Sequence, residues 1–176
     1  MKLILGIVVS LASFFMLYLF LAIFSASSFE VARQQIFQQS KQEVWHKFSR
    51  FKNWESWSPW NNQDQTISYS YSGKPGRKGA KVNWTGNKIG KGSMTVSEII
   101  PFQELTYTIQ LSDWDSKTVG NIKLTETSTG TLVVWKTSGE LSFWTKPMAS
   151  LGFYDKIIGR DFESAFEEIS RQLKQY

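Results

Sequence analysis

Hydrophobic and polar residues follow three different patterns along the chain, one after another. Residues 3–24, LILGIVVSLASFFMLYLFLAIF, form an apolar run without a charge. Residues 66–137 mostly alternate between apolar and polar side chains, whereas residues 158–173 repeat apolar side chains every three or four positions. These periods predict one long apolar helix, then a set of β-strands, and then an amphipathic helix.

The apolar run is long enough to cross a bilayer. As a helix its 22 residues span roughly 33 Å, and a bilayer core is about 30 Å thick. The alternative is a cleaved signal peptide, with Lys2 as its charged start and residues 25–27 as its cleavage site. Because signal cores usually hold only about 7–15 apolar residues, we expect residues 1–26 to be a retained transmembrane anchor and residues 27–176 to form one domain.

The orientation of this anchor is weakly determined by charge. Lys2 lies on one side of the run, and Arg33 and Lys41 lie on the other, so the basic residues are nearly balanced. The short amino-terminal stub favours a domain on the extracytoplasmic side. The sequence therefore predicts a single-pass membrane protein with this topology.

A strand and two short helices are predicted between the anchor and the alternating region. Residues 29–37 have strand character, and Ser40 and Glu43 have the S-x-x-E spacing of a capping box at a helix start. Apolar residues then recur at helical spacing, so this helix is expected to end near Lys52. His46 falls on its polar side, which favours a surface histidine over a catalytic base.

The segment NWESWSPW, residues 53–60, holds three tryptophans at intervals of three. Asn53 is expected to cap a second short helix that carries Trp54 and Trp57, and Pro59 is expected to end it. The rings can pack a corner of the fold, form the rim of a ligand entrance, or contact a membrane. Packing is the favoured interpretation because large aromatic side chains are usually buried.

Six strands and a long helix complete the predicted order. The strands fall near residues 66–72, 80–85, 94–101, 105–111, 120–127 and 131–137, and their short connections favour antiparallel pairing. The final helix carries a broad apolar face formed by Ile158, Phe162, Phe166, Ile169 and Leu173. That face needs an apolar partner, and the sheet is the large candidate.

The composition excludes several kinds of chemistry. The chain has no cysteine and one histidine, so disulfides, thiol nucleophiles, cysteine-ligated metals and multi-histidine metal sites are absent. No serine stands in a nucleophile-elbow motif. Asp113 and Asp115 flank Trp114, but two carboxylates are too few for a cation site, so we expect a solvated loop there. No cofactor, metal or catalytic residue is predicted.

The chain has a formal net charge of +5, and part of it is concentrated in one region. Six basic residues and no acidic one occur between positions 65 and 97, namely Lys74, Arg77, Lys78, Lys81, Lys88 and Lys91. Near a membrane such residues can contact anionic lipid headgroups, at roughly 1 kcal/mol each. A solvated basic edge is the alternative, and no nucleic-acid recognition motif accompanies them.

Four short phrases of the sequence resemble one known family. They are WESWSPW at residues 54–60, WTGNKIGKGSM at residues 84–94, GTLVVW at residues 130–135 and IGRDFE at residues 158–163. In this order they resemble the START-like superfamily (SRPBCC, or polyketide cyclase/dehydrase-like proteins) over roughly residues 30–176. One departure is Ser164-Ala165-Phe166, where relatives carry Gly-Leu, and the larger ring can alter the shape of a cavity.

The resemblance implies an α+β helix-grip fold. A curved antiparallel sheet of about seven strands would wrap around the long C-terminal helix, preceded here by one transmembrane helix. In this superfamily the space between sheet and helix often holds an apolar or amphipathic ligand, although a filled core is the alternative. The candidate cavity residues are Trp57, Trp60, Tyr69, Trp84, Tyr107, Trp135, Phe162 and Phe166.

Fold alone does not define an activity, so three functions are compared. The first is a membrane-anchored, non-catalytic binding domain for a hydrophobic or amphipathic, lipid-like small molecule. The second is a cyclase- or hydrolase-type enzyme that uses a buried Tyr, Asp or Glu in the same cavity. The third is a protein-partner module with a filled core. The absence of recognisable catalytic groups favours the first.

Overall fold

A computed structural model describes residues 1–112 and 118–174 of the chain. In these ranges the helices are α1 (Lys2–Phe24), α2 (Lys41–Phe48), α3 (Phe51–Trp54), α4 (Trp60–Gln63), α5 (Lys146–Ser150) and α6 (Phe153–Leu173). The strands are β1 (Ser28–Phe37), β2 (Ser68–Ser72), β3 (Lys81–Gly86), β4 (Gly90–Ile100), β5 (Glu104–Leu111), β6 (Thr118–Thr127) and β7 (Gly130–Glu140).

The seven strands form one sheet in the order β1-β7-β6-β5-β4-β3-β2, with every neighbouring pair antiparallel. β1 pairs with β7 along its whole length, from Ser28↔Glu140 to Phe37↔Thr131. The strands run between two ends of the sheet. We call the end that contains Ser28 and Glu140 the proximal end, and the end that contains Phe37 and Thr131 the distal end. α6 lies along the sheet between these two ends, and the predicted helix-grip fold is confirmed.

The Trp-rich corner forms differently from the sequence prediction. The capping box of Ser40 and Glu43 is present, but α2 ends at Phe48 rather than near residue 52. Asn53 does not cap a helix: it lies inside α3, and its side chain donates a hydrogen bond to the His46 carbonyl. Pro59 immediately precedes α4, so it starts a third short helix that the sequence did not predict.

Two indole rings explain why α2 stops early. The Trp54 ring nitrogen donates to the Phe48 carbonyl at 2.9 Å, and the Trp57 ring nitrogen donates to the Lys47 carbonyl at 3.1 Å. Carbonyls in the last turn of a helix lack partners within the helix, so these donors satisfy them without a further turn. Both rings are buried, at 6% and 3% exposure, which agrees with the packing interpretation of the cluster.

The distal part of the space between α6 and the sheet is filled. Phe166 and Ile169 of α6 are buried there, and Phe166 contacts Phe37 edge-on at 5.9 Å between ring centres. A polar contact also joins α6 to the edge strand β1: the Gln35 side chain donates a hydrogen bond to the Ser170 hydroxyl at 2.6 Å. This half of the domain is an ordinary hydrophobic core.

α1 is long and apolar enough to cross a membrane, as judged by its length and composition. Residues 2–17 are all exposed, so no other part of the described chain packs over them. Only the last two turns contact the domain, where Ala22 is buried and Ser25 accepts a hydrogen bond from Ser150 of α5 at 2.7 Å. The apolar helix predicted for this segment is therefore present.

Asp64 is a buried carboxylate that the sequence analysis did not identify. It is 1% exposed and accepts bonds from the backbone and hydroxyl of Thr66, at 2.9 and 2.6 Å, and from the amides of Lys88 and Ile89, at 2.6 and 3.2 Å. These bonds, first among them the one from the Thr66 hydroxyl, hold the pKa of Asp64 well below its usual range. The carboxylate thus joins the start of β2 to the β3–β4 hairpin.

We expect Asp64→Asn to lower the melting temperature at neutral pH by roughly 5 °C, because an amide cannot accept all four bonds. The charged carboxylate stabilises the fold fully above its unfolded-state pKa of about 3.9, and this contribution is lost as the pH falls toward the lower folded-state value. The difference between the two proteins should therefore shrink below about pH 4. Thermal unfolding from pH 7 to pH 3 measures this, with the exposed Glu98→Gln as the control. A constant difference across that range would contradict the assignment.

Candidate functional site

An apolar cavity of about 390 Å³ lies between the sheet and the first half of α6. Its strand residues come from the inner face of the sheet and from the proximal end, and the short helices after β1 supply one wall. The side chains that line it are mostly apolar or aromatic: Phe29, Trp54, Trp57, Pro59, Trp60, Trp84, Ile89, Met94, Tyr107, Ile109, Leu111, Trp135, Leu141, Tyr154, Ile157, Ile158 and Phe162. The domain thus has a filled distal half and a hollow proximal half.

Six of the eight predicted cavity residues lie in this lining. They come from five parts of the fold that are distant in sequence: Trp57, Trp60, Trp84, Tyr107, Trp135 and Phe162. Trp135 is central, since its ring stacks on Phe162 with 4.1 Å between centres. A role of these six residues in ligand binding stays a prediction.

The other two predicted residues lie outside the lining. Phe166 comes one turn after Phe162 and belongs to the filled distal core. Tyr69 is half-buried on β2, and its hydroxyl donates to the Asn61 side chain at 2.8 Å. Burial raises the pKa of Tyr69 to about 12, so this group remains a neutral hydrogen-bond donor.

The sequence analysis missed the proximal part of the lining. Met94 and Ile109 could have been identified, because they alternate in phase with Val96 and Tyr107 on their strands. Tyr154 could not have been identified in this way. The apolar repeat that predicted the last helix starts at Ile158, whereas α6 already begins at Phe153. The helix follows Gly152, whose positive φ of 69° reverses the chain, and that conformation has no periodic signal.

Tyr107 and Trp135 form a polar pair inside the aromatic wall. The Trp135 ring nitrogen donates to the Tyr107 hydroxyl at 2.9 Å, and both residues are buried. Gly120 makes room for the phenol, since a Cβ there would lie 2.1 Å from the Tyr107 ring. Burial raises the pKa of Tyr107, so the phenol stays protonated at neutral pH.

Asp161 marks the side of the cavity where α4 meets α6. Its carboxylate accepts a hydrogen bond from the Trp60 ring nitrogen at 3.2 Å and another from the Gln63 side chain at 2.9 Å. These two bonds hold the short helix α4 against α6. They also orient Trp60, whose ring lies 5.6 Å from that of Trp84.

The Tyr154 hydroxyl is the one buried side-chain polar atom without a hydrogen-bond partner in the part of the chain that the structure describes. Tyr154 lines the cavity and stacks on Phe29, with 4.5 Å between ring centres. A buried hydroxyl without a partner costs about 1–3 kcal/mol, so such groups call for an explanation.

The predicted basic region is divided between the two ends of the sheet. The β2–β3 connection and the start of β3 lie at the distal end, whereas the β3–β4 turn lies at the proximal end, about 20 Å away along β3. The six residues are Lys74, Arg77, Lys78 and Lys81 at the distal end, with Lys88 and Lys91 at the proximal end. They do not form one continuous edge on the side of α1.

Residues 1–112 and 118–174 contain no group of three or more histidine, cysteine, aspartate or glutamate side chains that could hold a metal ion. His46 is exposed on α2, as the sequence predicts. Asp113, Trp114 and Asp115 fall outside the described residues.

Comparisons with solved structures agree on the fold. The chain is similar to protein MLL2253 from Mesorhizobium loti, with 18% identity, a TM-score of 0.62, and coverage of 84% of this chain and 98% of the other. The chain is also similar to SA2116 from Staphylococcus aureus, described as a protein of unknown function. The identity is 12% and the TM-score is 0.64, and the match covers 86% of this chain and 99% of the other.

A protein of the steffimycin biosynthetic pathway has a similar fold. The di-domain ARO/CYC StfQ from the steffimycin biosynthetic pathway gives 8% identity and a TM-score of 0.62, with coverage of 82% of this chain and 50% of StfQ. No curated protein matches the sequence.

The sequence also matches a family model, described as Activator of Hsp90 ATPase homolog 1-like protein, over residues 38–176. This match covers the domain from the end of β1 to the end of the chain and includes the whole cavity wall except its first strand. The resemblance drawn from the four sequence phrases is therefore confirmed. The chain belongs to the Activator of Hsp90 ATPase homolog 1-like family, within the START-like superfamily.

Proposed function

We propose that this protein is a membrane-anchored domain that binds a hydrophobic or amphipathic, lipid-like small molecule without converting it. The observation that carries the proposal is the apolar cavity, whose lining includes Tyr154, the residue with the buried hydroxyl that lacks a partner. Membership of the family supports the coarser statement, a ligand-binding domain.

The size and chemistry of the cavity suit such a ligand. Its volume of about 390 Å³ falls in the range of roughly 300–1,000 Å³ that is common for small-molecule sites. The aromatic and aliphatic walls favour a ligand with an apolar body. Burying apolar surface contributes about 25 cal/mol of favourable free energy for each Å² removed from water. The Tyr154 hydroxyl can donate to an acceptor such as a carbonyl, carboxylate or ether oxygen.

A cyclase- or hydrolase-type enzyme would need an acid, base or nucleophile in the cavity. Tyr107 is a buried phenol with a perturbed pKa, which such an enzyme requires. However, the pKa is raised, so Tyr107 is a poor base and a poor nucleophile at neutral pH. Asp161 is already engaged by two donors that position α4. Glu140, the other carboxylate of the lining, is exposed, so it does not supply a shielded acid or base. These observations favour binding over catalysis.

A partner module would be expected to have a filled core. The distal half of the domain is filled, but the proximal half is hollow, and this difference favours a small-molecule ligand.

The anchor part of the proposal rests on α1. Sixteen consecutive exposed residues at positions 2–17, almost all apolar, would be strongly unfavourable in water. We propose that residues 1–26 anchor the protein in a membrane by a single pass, and that residues 27–176 form the binding domain on the extracytoplasmic side.

Titration of residues 27–176 with fluorescent lipid analogues tests the binding proposal. After cooperative thermal unfolding of this fragment has been verified, a long-chain fatty acid probe and an alkyl probe without a polar group are added in turn. We expect saturable binding of both, with one site per domain. No saturable binding of either probe would contradict the proposal.

The Tyr154→Phe variant tests the role of the hydroxyl. It removes the buried group without a partner, so the melting temperature should stay the same or rise. The fatty acid should bind roughly three- to tenfold more weakly, because one hydrogen bond contributes about 0.5–1.5 kcal/mol, while the alkyl probe should bind equally well. Tyr71→Phe is the matched control, since the Tyr71 hydroxyl bonds to Glu55 outside the cavity. An equal loss for both probes would argue against a hydrogen bond from Tyr154.

A further inference from the structure

Exposed apolar side chains of the domain are concentrated beside α1. After α1, ten large hydrophobic residues are exposed in the described part of the chain, and five of them fall within residues 143–157. These five form what we call the apolar lip: Phe143, Trp144, Leu151, Phe153 and Ile157, with exposures of 40, 58, 77, 43 and 45%. Single exposed apolar residues are ordinary, but a cluster of this kind marks a contact surface.

The apolar lip is held against the end of α1. Helix α5 lies within it and packs along the last two turns of α1. The Tyr18 hydroxyl donates to the Trp144 carbonyl, and the Ser150 hydroxyl donates to Ser25 at 2.7 Å. These contacts fix the depth of the lip relative to α1.

That depth corresponds to the surface layer of a bilayer. Tyr18 lies six residues before the end of α1 at Phe24, which is about 9 Å along the helix axis. Interfacial segments insert their apolar side about 5–10 Å into the boundary between headgroups and acyl chains. Because Trp144 lies beside Tyr18, a membrane-spanning α1 would carry Trp144 into this layer, where tryptophan is enriched.

The charges of residues 143–157, the segment that contains the lip, fit the same location. Lys146 and Lys156 are its two basic residues, and each can contact lipid phosphates. Its single acidic residue, Asp155, pairs with Arg33 at 2.8 Å, and Arg33 also pairs with Glu163 at 2.6 Å. Residues 143–157 themselves therefore combine exposed apolar side chains with one net positive charge.

The lip borders the cavity. Ile157 belongs to both the lip and the cavity lining, and two other lining residues lie close by: Leu141 comes two residues before Phe143, and Tyr154 follows Phe153. We propose that the apolar lip is inserted into the surface of the bilayer that α1 crosses, so that the proximal side of the cavity faces the lipids. This inference rests on the proposed anchor, and ligand would then pass between the lipid phase and the cavity without crossing water.

Because the chain has no cysteine, single labels can test the insertion in the full-length protein. An environment-sensitive fluorophore is attached to Leu151→Cys or Phe143→Cys in the lip, to Val8→Cys in α1, and to Ser128→Cys in the exposed β6–β7 turn at the distal end. Each protein is reconstituted into phosphatidylcholine vesicles with a minor share of phosphatidylglycerol, with or without lipids that carry a quenching spin label.

We expect strong quenching at position 8, quenching at positions 151 and 143 that is at least about twofold greater than at position 128, and blue-shifted emission at both lip positions. If position 8 is quenched while both lip positions behave like position 128, the lip inference is wrong and the anchor proposal stands. If position 8 is not quenched, the anchor proposal fails and the inference fails with it.

Discussion

The Ile109→Trp variant of residues 27–176 is expected to bind the fatty acid and alkyl probes at least about tenfold more weakly than the unchanged fragment. Ile109 is half-buried on β5 and lines the cavity beside Met94, with which it pairs. The larger indole would occupy space that the ligand needs. Because it enters a hollow rather than a packed core, the melting temperature should stay unchanged or rise. Probe titration and thermal unfolding of the same samples measure both effects.

Ile99→Trp is the matched control for this variant. Ile99 is also half-buried on the inner side of the sheet, but it lies toward the distal end and outside the cavity lining. The same chemical change there should leave the probe affinity within about twofold, even if packing strain lowers stability by about 1–3 kcal/mol. Equal loss of binding in both variants would mean that the effect is a general one and that the cavity is not the site.

Trp135→Ala should be the most destabilising single substitution, lowering the free energy of unfolding by about 3–5 kcal/mol. The ring is 5% exposed, stacks on Phe162 at 4.1 Å and contacts Trp57 edge-on at 5.8 Å. The Tyr107 hydroxyl accepts a hydrogen bond from the Trp135 ring nitrogen, so removing the ring also takes this donor away from a buried hydroxyl. For a domain of this size the melting temperature should fall by roughly 10 °C or more.

Trp144→Ala controls for the loss of an indole as such. Trp144 is 58% exposed, so in residues 27–176 the change should alter stability by less than about 0.5 kcal/mol. Thermal and denaturant unfolding of the two variants side by side give the comparison. Similar stability of Trp135→Ala and Trp144→Ala would show that the centre of the aromatic wall is not the packed unit described here.

Regular patterns in the sequence were enough to predict most of the fold. Alternation on the strands gave six antiparallel strands after the short helices, and the capping box at Ser40 gave the start of α2. The irregular corner was not predictable, because α2 ends where Trp54 and Trp57 reach back to its carbonyls. Such side-chain contacts depend on the tertiary structure and leave no local period.

The site was only partly predictable for a related reason. Aromatic residues facing the inner side of the sheet, such as Trp84 and Tyr107, could be assigned to the interior from their alternation. The alternation could not show which part of the interior is hollow. Phe162 and Phe166 occupy equivalent positions one turn apart, yet only Phe162 reaches the cavity. The missing hydrogen bond of Tyr154 likewise becomes visible only after every neighbour has been placed.

The most direct test of the central claim is to identify what the cavity holds after purification. Residues 27–176 are purified without detergent from cells that make membrane lipids, and the organic extract is analysed by mass spectrometry alongside an extract of Ile109→Trp. We expect a lipid-like molecule with at least one hydrogen-bond acceptor, present at close to one molecule per domain, that is strongly depleted in the variant. Equal extracts from both proteins, or an empty fragment that also takes up no apolar probe, would contradict it.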